Sequence, residues 1–134
     1  LIRERLIDFI RVHISDIGGL SMARKLAAFC EFMGVRTAFH GPGDVSPVGH
    51  AANMHLDLAI SNFGIQELSL FHEETREVFP GCPEVRDGCL WSNDLPGLGV
   101  DINEELAAKY PFPEDAYNGA WPEVRRLDGT VVKP

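Results

Sequence analysis

Five side chains of the types that bind small acidic ligands occur near the ends of three short apolar segments. They are one arginine, two histidines and two carboxylates, namely Arg11, His13, His40, Asp44 and Glu67. An arginine guanidinium binds carboxylates through paired, charge-assisted hydrogen bonds. A histidine can donate one ring N–H to a carboxylate and present its other nitrogen to a ligand. The five residues together predict the rim of a ligand-binding site.

Each of these side chains also has a structural alternative. Arg11 lies between Ile10 and Val12, so it is either a surface arginine or a clamp for an anionic group. His13 is either a hydrogen-bonded core histidine or a site residue. Glu67 ends an apolar segment, where an unpaired carboxylate would be costly, so a ligand or a salt bridge must account for it.

His40 and Asp44 flank the turn Gly41-Pro42-Gly43. An aspartate in such a turn can simply accept a hydrogen bond from its own backbone. The alternative is that His40 and Asp44 both face a ligand. The turn itself does not resemble a phosphate-binding loop, because no Gly-Lys-Ser/Thr follows it and a proline removes one backbone donor.

Three predicted strands position these side chains. Residues 9–14, 35–40 and 63–68 are rich in β-branched and apolar residues, and the first of them alternates, with Arg11 and His13 on the face opposite Ile10, Val12 and Ile14. The chemical residues lie towards the carboxyl end of each segment. Ligands bind outside the carboxyl ends of the strands in parallel sheets and barrels, so the five side chains are expected to meet there.

Two helices are predicted between the strands. Ser21 is a plausible N-cap for the first helix, which would run to about residue 33 with Gly34 as its stop. Its expected apolar stripe consists of Met22, Leu26, Phe29 and Met33. Ser46 and Pro47 form an N-cap and first-turn pair for the second helix, which would run to about residue 60. The alternation of strand and helix predicts right-handed βαβ units and a parallel sheet.

After residue 70 the chain becomes a tail rich in proline and glycine. Asp87-Gly88 between Glu84-Val85-Arg86 and Cys89-Leu90-Trp91 predicts a hairpin. Residues 101–109 resemble a short helix, because Glu104 and Glu105 favour its N-terminus. The segment His72-Glu73-Glu74 is expected to form a solvated turn.

The overall composition excludes several classes of protein. A net charge of −8, from 12 basic and 20 acidic residues, repels nucleic acid and argues against a nucleic-acid partner. The apolar runs fall short of the roughly 20 residues that cross a bilayer, and the first residues lack a signal peptide's order, which predicts a cytoplasmic protein with no membrane partner. The three cysteines form no Cys-x-x-Cys pair and are expected to be free thiols.

The motifs that contain these residues resemble the mannonate and gluconate dehydratase group of the enolase superfamily. The resemblance covers nearly the whole chain, and its second motif is long and specific. The motifs are RVHIS at 11–15, HGPGDVSPVGHAAN at 40–53, FGIQE at 63–67, GLGVD at 97–101, LAAKYP at 106–111 and DG at 128–129.

The resemblance implies an α/β fold, the C-terminal part of a modified (β/α)8 barrel. Residues 1–70 would form the last three strands and their helices, and residues 71–134 a lid tail packed over the barrel and a capping domain. It also implies that Arg11, His40, Asp44 and Glu67, with His13 as a further candidate, contact a sugar acid. The catalytic acid and base and the ligands of a Mg²⁺ cofactor would precede this segment, and the intact protein would be a homo-oligomer.

The implied reaction is the removal of water from mannonate or gluconate through an enediolate, which gives a 2-keto-3-deoxy sugar acid. The alternatives are a non-catalytic sugar-acid-binding or regulatory relative, and a folding remnant without activity. A closed barrel of this type needs about 250 residues, and three strands leave open edges. The 134-residue chain alone is therefore predicted to be inactive, and to aggregate or be partly molten.

Overall fold

A computed structural model describes residues 1–111 of the chain, and the compact unit considered below is residues 1–104. Short strands alternate with helices in its first part, as the sequence predicts. The elements are β1 (Phe9–Ile10), α1 (Leu20–Phe32), β2 (Arg36–Thr37), α2 (Pro47–Leu58), α3 (Glu73–Val78), β3 (Glu84–Arg86), β4 (Cys89–Trp91) and α4 (Glu104–Ala107). The predicted lid tail covers residues 71–134, and its last part, residues 112–134, lies outside the described residues.

The first two strands and a third extended segment lie side by side in parallel. β1 pairs with β2, and Phe63 forms a parallel bridge with Thr37 on the other edge of β2. The backbone ladder continues past the labelled strands, because Ala38 N–H donates to the Ile10 carbonyl at 3.0 Å and His40 N–H to the Val12 carbonyl at 2.9 Å. The predicted parallel order is therefore confirmed, with regular pairing over fewer residues than the sequence suggests.

The start of α1 differs from the prediction. The helix begins at Leu20, and the residue in the N-cap position is Gly19, whose φ is 87° and which offers no side-chain cap. Ser21 lies inside the helix and is not its N-cap. Two consecutive glycines before the helix let the chain turn sharply from the end of the first strand segment, so no serine cap is needed there.

The buried face of α1 is made of small residues rather than of the predicted stripe. Ala23, Ala27 and Cys30 are fully buried, whereas Met22 and Phe29 remain 48% and 43% exposed. Small side chains on this face allow the helix to lie close against the strands. The predicted stripe was wrong because it was chosen from the large apolar side chains, whereas the face of the helix that packs against the strands is made of small ones.

The second helix follows the sequence closely. Ser46 Oγ accepts a hydrogen bond from Gly49 N–H at 3.3 Å, and Pro47 is the first helical residue. The helix has a buried face of mixed polarity. Its buried residues are Pro47, His50, Ala51, Asn53, Met54 and Leu56.

The core lies between the strands and the two long helices. Phe39, fully buried on the β2 segment, is its largest member. The cluster consists of Ile14, Ala23, Ala27, Phe39 and Leu56, with Val12, Ile17 and Ile60 packed against it. Since these residues come from both predicted βαβ units, burial of this cluster fixes the strands and helices relative to one another.

Two features after residue 70 can be compared with the sequence. The hairpin is confirmed: β3 and β4 are antiparallel, and Asp87 and Gly88 at the turn have φ of 52° and 74°, as a type I′ turn requires. Residues 72–74 are exposed, as expected, but they do not form a turn, because α3 begins there. Glu73 and Glu74 lie in its first turn, where acidic side chains are favourable.

Among residues 1–111, no helix has the length and apolar character needed to cross a membrane. The three cysteines are free, with Cys30 and Cys82 buried and Cys89 exposed. Burial raises the pKa of the Cys30 and Cys82 thiols, so both are protonated at neutral pH. These thiols pack as small apolar groups.

The fold leaves large apolar side chains in water. Phe32, Leu70 and Leu58 are 83%, 77% and 67% exposed. Exposed apolar surface of this kind promotes association. We expect the isolated 134-residue chain to bind a hydrophobic dye and to self-associate in sedimentation velocity runs at increasing concentration.

The variant Phe32→Glu should weaken both dye binding and association, because the ring at this position is mostly outside the fold. The matched control is Glu31→Gln, which changes an exposed neighbour without removing apolar surface. A monomeric chain that binds no dye and unfolds cooperatively would contradict the expectation.

Candidate functional site

An ion pair across the parallel strands is the centre of the site. Arg11 Nη2 donates to both carboxylate oxygens of Glu67, at 3.0 Å to Oε1 and 2.8 Å to Oε2. Arg11 follows β1 and Glu67 follows the Phe63 bridge, so the pair spans the β2 segment that lies between them. Both side chains remain accessible, with exposures of 55% and 42%.

The Glu67 carboxylate has two further partners from the segment after β2. Gly41 N–H donates to Oε2 at 3.1 Å, and His40 Nε2 lies 3.6 Å from the same oxygen. Gly41 must be a glycine here, because a Cβ at this position would overlap the backbone carbonyl of Glu67 and approach the His50 ring. Three segments of the chain therefore converge on one carboxylate.

These contacts keep Glu67 ionised. The hydrogen bond from Gly41 N–H is the largest cause of the lowered pKa of Glu67. Desolvation, the next largest effect, opposes it, and the hydrogen bond and charge of Arg11 and the charge of His40 lower the pKa further. Because the folded pKa is below the unfolded one, this stabilisation is present at neutral pH and is lost as the pH falls through the folded pKa. Glu67 is thus an acceptor for ligand hydroxyl groups at neutral pH.

His13 extends the site towards the end of the first strand segment. Its ring meets the His40 ring edge to face, with 5.6 Å between centroids. Ser15 Oγ forms a hydrogen bond with His13 Nδ1, which orients the ring. The two imidazoles together present nitrogen atoms that can donate or accept according to tautomer.

A cleft of about 680 Å³ opens beside the two histidines. His13, His40 and Asp44 all line it, together with the first turn of α2. Asp44 is exposed and lies in the turn before Ser46. It lines the cleft with the two histidines and is not part of the Arg11–Glu67 ion pair. The volume of the cleft is within the range that holds a small polar ligand.

The structure therefore brings Arg11 and His40 to Glu67 and places His13 against His40. Asp44 shares a cleft with the two histidines, and the lining of this cleft does not include Arg11 or Glu67. For Glu67, the salt bridge is the partner that the sequence argument required. The sequence argument missed Gly41, whose backbone N–H donates a hydrogen bond to the Glu67 carboxylate. A glycine directly after a strand-end histidine is the signal that could have identified it.

Among residues 1–111, no three histidine, cysteine, aspartate or glutamate side chains converge to hold a metal ion. The carboxylates of the site point to different partners: Glu67 is bound to Arg11 and Gly41, and Asp44 lies on the cleft wall. The side chains that converge on Glu67 are therefore hydrogen-bond donors, and the described residues do not fit a metal centre.

Comparison with known proteins identifies relatives of the chain. Residues 1–106 match the family described as enolase C-terminal domain-like. The chain is 58% identical over 134 residues to a D-galactonate dehydratase family member, RspA, from Pantoea ananatis, and 56% identical to one from Musicola paradisiaca. Each alignment covers the whole of this chain but only 32% of the relative.

Solved structures agree with the fold. An enolase from Pantoea ananatis, solved with bound D-gluconate and Mg, matches 83% of this chain and 27% of its own, with a TM-score of 0.81 and 60% identity. A mandelate racemase/muconate lactonizing enzyme from Sulfitobacter matches 84% of this chain and 28% of its own, with a TM-score of 0.73 and 26% identity. The chain spans about a third of the length of the curated relatives that it matches.

Proposed function

The chain belongs to the enolase C-terminal domain-like family, and we propose that it supplies the sugar-acid-binding side of a dehydratase. Its α/β architecture is the C-terminal part of an enolase-superfamily barrel. The observation that carries the proposal is the Arg11–Glu67 pair joined by His40 at the carboxyl edge of three parallel segments. This edge is where barrel enzymes bind their substrates.

The chemistry of the site suits a polyhydroxy acid. An ionised Glu67 accepts hydrogen bonds from hydroxyl groups, and His40 can donate to or accept from a neighbouring hydroxyl. Arg11 binds Glu67 through Nη2 alone, so the remaining face of the guanidinium is directed to other acceptors. Asp44 and His13 would extend the same pattern along the cleft.

D-Gluconate is our first choice of substrate, because a Pantoea ananatis protein 60% identical over the matched part was solved with it. Mannonate is the next choice, because the motifs resemble those of mannonate and gluconate dehydratases. Galactonate is a further choice, because the relatives are named as D-galactonate dehydratase family members. The proposed reaction removes one water from gluconate and gives 2-keto-3-deoxygluconate. In it, residues of this chain hold the hydroxyl groups.

Mg²⁺ is the expected cofactor, because the gluconate-bound neighbour was solved with it. The described residues of this chain do not form its site, so the metal ligands are proposed to lie outside this chain, with the catalytic acid and base. The cytoplasmic location and the homo-oligomeric state remain predictions.

The proposal can be tested in a complete barrel. In a chimera, this chain replaces the matching segment of the gluconate-bound Pantoea ananatis protein. We expect the folded chimera to bind gluconate within about tenfold of the host's affinity, or about 1.4 kcal/mol, in calorimetry with Mg²⁺ present. Dehydration of gluconate by host and chimera is then compared through the 2-keto product.

A folded chimera that binds no gluconate would refute the proposal. Binding with no turnover, in a host that does turn gluconate over, would favour the alternative of a non-catalytic sugar-acid-binding relative.

The contribution of this chain's own residues is tested by Glu67→Gln in the chimera. Loss of a charged acceptor should weaken gluconate binding by about 1.5–3 kcal/mol, or roughly 10- to 150-fold. His40→Ala should also weaken it. The matched control is His55→Ala, because His55 bonds to the Leu98 carbonyl at 3.2 Å and does not line the cleft of His13 and His40.

Calorimetry of the three variants gives the comparison. Equal affinities for Glu67→Gln and His55→Ala would remove Glu67 from the binding site.

A further inference from the structure

The peptide between His40 and Gly41 is held from both of its sides. Its N–H, on Gly41, donates to Glu67 Oε2 at 3.1 Å. Its carbonyl, on His40, accepts from Asn53 Nδ2 at 3.2 Å. The described chain contains no cis peptide, and in a trans peptide the N–H and the C=O point in opposite directions. A donor that fixes the carbonyl therefore also fixes the direction of the N–H.

Asn53 is suited to this role by its burial and its position. It is 2% exposed on the buried face of α2. A buried amide that loses its acceptor is costly, so the side chain and the His40 carbonyl hold each other firmly. The hydrogen bond also polarises the peptide, which strengthens the N–H as a donor.

His50, one turn earlier on the same face, packs against the other part of this turn. Its side chain is fully buried and meets the Phe71 ring edge to face, with 5.0 Å between centroids. The ring lies directly against the Cα of Gly41, where an added Cβ would be 2.8 Å from Cε1. Gly41 is thus confined between the His50 ring and the Glu67 backbone.

The charge state of His50 agrees with a packing role. Neither ring nitrogen makes a hydrogen bond of good geometry among residues 1–111, although the Pro42 carbonyl lies close enough to interact with the ring. Burial lowers the pKa of His50, although the Pro42 backbone and the charge of Glu67 oppose this effect and His13 adds slightly to it. A neutral ring below the turn therefore supports Gly41 without adding charge beside Glu67.

We propose that Asn53 and His50 are positioning residues, which orient the His40–Gly41 peptide so that its N–H points at the Glu67 carboxylate. The consequence for ligand binding rests on the proposed function, but the orientation of the peptide does not. Asn53 also lines the cleft of His13 and His40, so the pKa of Glu67 in the ligand-free protein is the readout that separates positioning from ligand contact. Helix α2 thus sets the direction of the Gly41 N–H and, through it, helps to keep Glu67 ionised.

The first test is Asn53→Ala in the ligand-free chimera, read through the Glu67 carboxyl carbon by ¹³C NMR. Gly41 N–H is the largest cause of the lowered pKa of Glu67. Misdirecting that donor should therefore raise the pKa of Glu67, even though Arg11 and His40 remain beside it. Glu67→Gln identifies the signal by removing it.

The matched control is Asn62→Ala. Asn62 donates to two backbone carbonyls, of Ala27 at 3.0 Å and of Val35 at 2.9 Å, away from the ion pair. This control should lower the thermal stability of the chimera and leave the pKa of Glu67 unchanged. A purely structural role of Asn53 would make the two asparagine variants behave alike.

Gluconate binding gives the second readout. Asn53→Ala should weaken it roughly 2- to 12-fold, the effect of one hydrogen bond, and Asn62→Ala should not. If Asn53→Ala does not fold, Asn53→Thr keeps a similar volume without the amide donor. An unchanged pKa of Glu67 in a folded Asn53 variant overturns the inference. A chimera that binds no gluconate refutes the proposed function, while the NMR titration still decides the positioning role.

His50 is tested by two substitutions of different size. His50→Leu keeps a neutral, bulky side chain under Gly41 and should leave the pKa of Glu67 unchanged. His50→Ala opens a space there and should raise it. The same pKa in both folded variants would show that His50 does not position the peptide.

Discussion

The Glu67 carboxylate is bound by two parts of the chain that are distant from it in sequence. Arg11 reaches it from the first strand segment, and Gly41 N–H and the His40 ring reach it from the second. A charge-assisted pair on a partly exposed surface contributes little to stability by itself. Here its effect is geometric, because one ionised acceptor fixes where the ends of three neighbouring strand segments lie.

This arrangement requires a parallel sheet. In parallel strands the carboxyl ends share one edge, so residues that follow each strand can meet without long loops. The core formed by Phe39 and the alanines of α1 supports that edge from below. The backbone ladder between the first two segments, in which His40 N–H donates to the Val12 carbonyl at 2.9 Å, sets the register that brings Arg11 to this edge.

The sequence predicts the parts of the site that depend on strand periodicity and on side-chain chemistry. Alternation places Arg11 and His13 on one face, and an uncompensated carboxylate in an apolar segment requires a partner, which the structure provides. Periodicity could not identify the Gly41 N–H, because a backbone donor has no side-chain signature. It also failed for α1, where Met22 and Phe29 are nearly half exposed and the alanines are buried. Close packing, rather than hydrophobicity, selects that face.

Asp57, near the end of α2, and Glu67 differ in how their carboxylates are paired. Both carboxylate oxygens of Asp57 are buried and have no hydrogen-bond partner among residues 1–111. Burial raises the pKa of Asp57 to about 7, and the nearby C-terminus of the helix disfavours a negative charge. Because the folded pKa is raised, Asp57 contributes most to stability at low pH and least above neutrality. The pKa of Glu67 is instead lowered, because donors of this chain bind its carboxylate, so Glu67 stabilises the fold at neutral pH and not at low pH. The Glu67 carboxylate therefore finds its partners within these residues, whereas Asp57 finds none among residues 1–111. The chain itself spans about a third of the length of its relatives.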